Sequence, residues 1–187
     1  MNTLSYKRLN TSYLFNEKGL IVRKDIYASA DNVIMDPVYI FEYPDIVCAV
    51  ALTEREEIIM VEQFRPGTGK VVIELPGGKI DVTDESPATA IERELLEETG
   101  FVFHSISPLG VVAVNPVTHN NRLHMFLATG GHPEKEQQFD KDERIEIRLM
   151  PLAKAMALLQ KSEFLNNAYL VTTFFYALLK MKKLDFT

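Results

Sequence analysis

The stretch from Gly77 to Phe101 constrains this chain more than any other: Gly-Gly-Lys-Ile-Asp-Val-Thr-Asp-Glu-Ser-Pro-Ala-Thr-Ala-Ile-Glu-Arg-Glu-Leu-Leu-Glu-Glu-Thr-Gly-Phe. Its second half has the local signals of a helix. Ser86 is a good N-cap, Pro87 suits the first helical position, where an amide is unpartnered anyway, and Gly100 can take the left-handed conformation that ends a helix after Thr99. At about 100° per residue, Ala88, Ile91 and Leu95 fall on one apolar stripe, with Leu96 further round, and this side is expected to face a core.

On the same wheel Glu94, Glu97 and Glu98 share one arc, read as an exposed functional face, and the methyl of Ala90 leaves it uncrowded. Like charges three and four residues apart repel, so a cation is expected among them. Three hard oxygen donors suit Mg²⁺ or Mn²⁺, and Mg²⁺ in particular prefers a few carboxylates completed by water and phosphate. Arg93 borders the cluster and is placed to orient Glu97, but one guanidinium cannot neutralise three carboxylates.

The run Arg93-Glu94-Leu95-Leu96-Glu97-Glu98-Thr99-Gly100-Phe101 resembles the second half of the Nudix box, and Gly78 and Glu85 resemble the glycine and first glutamate of its loop. Six residues, Lys79 to Asp84, stand between Gly78 and Glu85, where the family has five. Either the loop holds an insertion or Asp84 takes the expected place.

The resemblance implies an α+β fold: an α/β/α sandwich around a mixed sheet, with a small N-terminal β lobe. It implies that Glu94, Glu97 and Glu98, with the Gly77 backbone carbonyl, hold Mg²⁺ or Mn²⁺, and that a glutamate in a later loop activates water. Glu143 is the best match for that base, Asp142 the next. The reaction implied is cleavage of a diphosphate bridge. ADP-ribose going to AMP and ribose 5-phosphate is the first substrate expected, and GDP-mannose or another nucleoside-diphosphate sugar is the alternative.

Before the box, Val61-Glu62-Gln63-Phe64-Arg65-Pro66 and Glu74-Leu75-Pro76-Gly77-Gly78 are similar to the corresponding stretch of ADP-ribose pyrophosphatases, where the arginine reaches substrate. Arg65 and Glu74 are therefore candidate substrate-binding residues. Pro116, fifteen residues beyond Phe101, resembles the proline that marks the same subgroup and is the third substrate-binding candidate. The branch resembled carries its N-terminal lobe across a homodimer, which implies a dimer here. Nudix domains also serve as ligand-sensing modules, but those often lose box glutamates and carry a fused DNA-binding domain. This chain keeps every helix glutamate.

Composition closes off other classes. The 187 residues carry a formal charge of −6 and no cluster of Lys and Arg, which argues against affinity for a nucleic-acid backbone. Cys48 is the only cysteine and lies in the apolar run Ile46 to Val50, so it is expected to be a buried thiol. The N-terminus has no apolar core of the signal-peptide kind, and the longest apolar segment, Ala168 to Leu179, is too short for a bilayer. No membrane partner and a cytoplasmic location are expected.

Along the chain, residues 1–43 read as an N-terminal lobe of short strands and 44–187 as the hydrolase domain. In the lobe Leu4 to Leu9, Tyr13 to Phe15, Leu20 to Tyr27 and Val33 to Tyr43 have strand pattern, with Pro37 suggesting an edge or bulge. Ile46 to Leu52 and Ile58 to Phe64 form a hairpin of almost continuously apolar strands, as central members of a sheet do. The Gly67-Thr68-Gly69-Lys70 loop lacks the spacing and the Ser or Thr of a phosphate-binding loop, and is expected to turn into strand Val71 to Leu75.

Ile106 to Val114 and Leu123 to Ala128 follow as strands. Gly130 to Asp142 is expected to be a loop, Ile145 to Met150 a strand, and 151–161 and 166–182 covering helices. His119 and His124 have no evident partner in the sequence and are read as structural or solvated.

Overall fold

The computed structural model describes residues 5–17, 20–138, 144–159, 161 and 167–184, and they divide into two units. The first unit takes residues 1–45 together with 112–122. It is built on an antiparallel sheet of β1 (Tyr6–Glu17), β2 (Leu20–Ser29) and β3 (Ile34–Glu42), in that order. The two strands expected before residue 16 are one. Register shifts between Arg8 and Asn10 and between Tyr13 and Phe15 absorb the polar Asn10-Thr11-Ser12 run without ending the ladder. Pro37 sits in β3, an edge strand, at the register shift between Met35 and Val38 where neither Asp36 nor Pro37 is paired with β2.

Three strands cannot bury much apolar surface, and the interior of this sheet is polar. Asp25 is fully buried and accepts from Thr11 Oγ1 (2.8 Å), Arg23 Nε (3.0 Å) and Tyr27 OH (3.2 Å). Burial by itself would raise its pKa, but these donors outweigh it and the net shift is downward. His119, read from sequence as structural or solvated, is stacked on Phe41 (5.6 Å) and Tyr43 (5.3 Å), and the Thr118 carbonyl accepts the Phe41 amide (2.8 Å).

The second unit, residues 46–111 and 123–187, is a sandwich. Its strands are β4 (Ile46–Thr53), β5 (Glu57–Arg65), β6 (Lys70–Glu74), β7 (Phe101–Val102), β8 (Ser105–Ala113), β9 (Arg122–Pro133) and β10 (Ile145–Pro151), the ends of β8 and β9 near residue 120 counting with the first unit. The order is β10-β5-β4-β9-β7, with β6 paired to β5 and β8 to β9. β4 runs antiparallel to β5 and parallel to β9, so the sheet is mixed. β9 continues past Ala128 to Pro133, where a loop was expected: His132 pairs with Val102 and Pro133 with Phe101. The short β7, which has too few residues for a periodic signal, supplies the partner that keeps this polar segment extended.

Helix α1 (Pro87–Thr99) covers one face of the sheet and α3 (Ala168–Lys180) the other, while α2 (Leu152–Leu158) packs on β10 and β5. Alternate residues of a strand point to opposite faces. Val47, Ala49 and Ala51 of β4 accordingly pack with Ala90, Ile91 and Leu95 of α1 and with Phe126 and Ala128 of β9. Cys48, Val50 and Leu52 turn toward the α3 side, where Leu170, Phe174, Ala177 and Leu178 are buried. Each large side chain so buried contributes about 1.5–3 kcal/mol. Among the described residues, no helix is long and apolar enough to cross a membrane.

Candidate functional site

Helix α1 begins and ends where its caps dictate. Ser86 Oγ accepts the Thr89 amide (3.1 Å), Pro87 opens the helix, and Gly100, at φ 72°, sends its amide to the Leu96 carbonyl. Its rotation differs from the wheel reading. Ala90, expected on the acidic arc, is buried in the core, whereas Ala88 is exposed in the first turn. The core stripe therefore runs Ala90, Ile91, Leu95, Glu98 and Thr99, and the glutamates straddle its border.

The three carboxylates have unequal surroundings. Glu98 is only 7% exposed, against the expectation of an open acidic face, and its Oε2 accepts the Gly77 amide (2.8 Å). Glu94 is nearly buried, with its carboxylate over Gly78, where an added Cβ would lie 2.4 Å from Oε1. Glu97 is the open one, 42% exposed.

Gly77 has its own constraint. At φ 148°, a Cβ there would stand 2.2 Å from the Val47 carbonyl oxygen. The carbonyls on either side of it, Pro76 and Gly78, are taken by the Ala49 and Val47 amides of β4 (3.1 and 2.9 Å), which ties this loop to the sheet and leaves the Gly77 carbonyl outside that ladder.

Arg93 joins the loop to the helix. Its guanidinium donates through Nε and Nη2 to the two oxygens of Asp84 (3.1 and 2.9 Å), through Nη1 to Glu94 and Glu97 (both 3.0 Å), and through Nη2 to the Lys79 carbonyl (3.0 Å). The resemblance to the box left Asp84 and Glu85 as alternatives for the supporting carboxylate. In the structure Asp84 is the one fixed to Arg93, its side chain 4% exposed, while Glu85 is exposed. The Arg93 guanidinium beside Asp84 holds that carboxyl below the usual range, and Asp84 in turn pushes the Arg93 pKa up.

The far end of α1 is clasped by the segment that follows β9. Gly100's carbonyl accepts the Glu134 and Lys135 amides (2.8 and 3.2 Å), Glu97's accepts the Gln138 amide (3.0 Å), and Glu98's accepts the Gln137 side chain. This satisfies carbonyls that a helix end leaves open, at the turn that carries the glutamates. Asp84 was already one of the two alternatives from the spacing, because five residues stand between it and Gly78. Gln137 and Gln138 lie in a polar tract with no periodicity, and nothing local marks them.

These groups open into a cleft of about 1030 Å³, large enough for a nucleotide-sized ligand. Glu94, Glu97, Glu98, Arg93, Gly77, Gly78, Arg65, Glu74 and Gln138 all line it. Arg65 donates to Glu74 (2.7 Å), a buried carboxylate that also accepts from the Asn167 side chain, so its guanidinium is tethered at the cleft wall while staying open to solvent. Pro116 belongs to the first unit, exposed in the turn after Asn115, and is not part of the lining. Glu143 and Asp142 lie outside the described residues.

The donor set fits a hard divalent cation: three carboxylates in one cleft, partly balanced by a single arginine, with a backbone carbonyl beside them. Glu94, Glu97, Glu98 and the Gly77 carbonyl are the groups that could hold it.

The cleft and its helix belong to a known lineage. Residues 42–172 match the NUDIX domain family. The chain is 32% identical over 125 residues to an ADP-ribose pyrophosphatase of Bacillus subtilis (strain 168), covering 66% of this chain and 67% of that one. It is 25% identical over 118 residues to a GDP-mannose pyrophosphatase of Citrobacter koseri, covering 59% and 61%. Among solved structures, an ADP compounds hydrolase superposes with a TM-score of 0.83 over 98% of this chain and 97% of that one, at 22% identity, which speaks to the fold. The acidic helix, the glycine loop under it and the sheet beneath both fall within the matched residues, and the chain belongs to the Nudix superfamily.

Proposed function

We propose that the protein hydrolyses the diphosphate bond of ADP-ribose, giving AMP and ribose 5-phosphate. The single observation carrying this is the convergence of Glu94, Glu97, Glu98 and Arg65 on one cleft of nucleotide size. The relatives named for ADP-ribose and for GDP-mannose define the substrate class, and ADP-ribose is placed first because the ADP-ribose pyrophosphatase matches at higher identity. Nudix hydrolases generally need a divalent metal ion, and Mg²⁺ is the ion this donor set suits.

When bound, Mg²⁺ neutralises diphosphate charge and lowers the pKa of a coordinated water. The chain's own groups do the rest. Glu94, Glu97 and Glu98 with the Gly77 carbonyl are the groups that would hold the cation. Arg93 keeps Glu94 and Glu97 in place through 3.0 Å bonds. Arg65, braced by Glu74, binds an anionic part of the substrate at the cleft wall. Glu143, or Asp142 beside it, takes the proton as the water oxygen attacks phosphorus and the bond to the bridging oxygen breaks.

Release of AMP, GMP and sugar phosphates across a panel of nucleoside-diphosphate sugars with Mg²⁺ tests this. ADP-ribose is expected to turn over fastest, with Glu98→Gln lowering kcat by orders of magnitude. Fastest turnover of GDP-mannose would move the substrate, and binding without any product would make the chain a sensing module. Full turnover by Glu98→Gln would remove that residue from the metal site.

We also propose that the chain works as a cytoplasmic homodimer. Tyr6, Leu9, Tyr13 and Leu14 of β1 and Ile34, Met35 and Tyr39 of β3 are exposed, large apolar side chains that a second copy of the chain would cover. Light scattering at micromolar concentration should give twice the mass of the 21.3 kDa chain, and a monomer mass would overturn this.

A further inference from the structure

We propose a second metal site, for a borderline transition ion of the Zn²⁺ kind, formed by Glu54, His104 and His132. Glu54 follows β4, His104 lies between β7 and β8, and His132 is near the end of β9. One ligand atom from each lies within 4.8 Å of the others. None of the three lines the acidic cleft.

The backbone brings these turns together by several independent contacts. Glu54's amide donates to the Gly131 carbonyl (3.1 Å), and His132 pairs with Val102 across the β7–β9 ladder. Two glycines make room for the Phe103-His104 turn: a Cβ on Gly130 would lie 2.7 Å from His104 Nδ1, and one on Gly131 2.5 Å from the Phe103 ring.

The side chains are set as ligands. His132 Nδ1 faces the Gly130 carbonyl at 3.5 Å, and in the tautomer that donates to it the lone pair is on Nε2, the nitrogen free to take a metal. His104 Nε2 and Glu54 Oε1 are 3.6 Å apart, longer than a hydrogen bond. Two donors at about 2.0–2.1 Å from one tetrahedral ion stand about 3.3 Å apart, so the His104–Glu54 pair is already near that separation, and the third ligand atom lies within 4.8 Å of both. The imidazole rings are tilted by 51° with centroids 5.2 Å apart, not stacked face to face. Two imidazoles and one carboxylate favour Zn²⁺, Ni²⁺ or Cu²⁺ over Mg²⁺, and half-exposed ligands leave the remaining positions to water.

Zn²⁺ titration of the metal-free full chain by calorimetry, in millimolar Mg²⁺ to occupy the glutamates, tests the site. One equivalent of Zn²⁺ is expected to bind, with affinity falling at least tenfold in His104→Ala and in His132→Ala and less in Glu54→Ala. Co²⁺ in place of Zn²⁺ should give a visible spectrum that disappears in the histidine variants. Absence of Zn²⁺ uptake in the wild type, or uptake that both histidine variants retain, would overturn the proposal. The readout is binding itself, so loss of hydrolytic activity has no bearing on it.

Discussion

Removing Asp84 separates two readings of the glycine loop. Its carboxylate, 4% exposed, accepts two hydrogen bonds from Arg93 (3.1 and 2.9 Å) and one from the Asp81 amide (2.8 Å). A hydrogen bond to a charged group contributes about 1.5–3 kcal/mol, so the two Arg93 bonds set an upper bound of about 6 kcal/mol. In Asp84→Ala the guanidinium keeps Glu94, Glu97 and the Lys79 carbonyl, so no buried charge is orphaned and a loss of about 2–3 kcal/mol is expected. At about 2–4 °C per kcal/mol for a chain of this size, Tm falls by about 4–12 °C. Glu85→Ala, at an exposed position, should stay within about 0.5 kcal/mol.

Calorimetric melts in EDTA, which keeps metal binding out of the comparison, would measure both. The pH dependence has a definite sign. Asp84's folded pKa lies below its unfolded value of about 3.9, so its contribution is fully present above that value and is lost as pH falls through the folded pKa. The gap between wild type and Asp84→Ala should therefore narrow in acid. Equal melting of the two variants at pH 7, or a larger loss in Glu85→Ala, would refute the assignment of Asp84 as the loop's anchor.

Other outcomes follow from the same contacts. Gly78→Ala forces only the end of a flexible side chain aside, so Tm should change little while the Mg²⁺ concentration for half-maximal activity rises; an unchanged Mg²⁺ requirement would argue against Glu94 as a ligand. Gly77→Ala meets backbone and a positive φ, and should cost about 1–3 kcal/mol, read as a lower urea midpoint. Glu98→Gln should cost about 1–2 kcal/mol besides activity, because the Gly77 amide loses a charged acceptor in a buried setting. Burial pushes the Cys48 thiol up to about 12, so it should resist a thiol reagent at pH 8 in the native protein and react on denaturation; rapid native reaction would place it nearer the surface.

The acidic helix was legible because its signals are local. A capping hydroxyl, a proline and a glycine act within a turn of themselves, and the observed limits, Pro87 and Thr99, are the ones these residues imply. The unbroken apolar run of β4 likewise carries its own evidence of burial on both faces. Local pattern failed where the partner is distant. Ala90 and Ala88 differ in burial only because of how the helix is turned on β4 and β9, and the polar tail of β9 becomes strand only because Phe101 and Val102 lie beside it.

The sequence by itself determined the acidic helix and the hydrophobic centre of the sheet, since helix periodicity and strand pattern are set by neighbours a few positions apart. Only the tertiary structure decided that Asp84 anchors Arg93, that Glu98 is buried against an amide 21 residues away, and that two glycines of β9 admit His104 beside His132. Burial and pairing depend on which segments meet, and that is settled by closing loops between residues whose own preferences say nothing about one another.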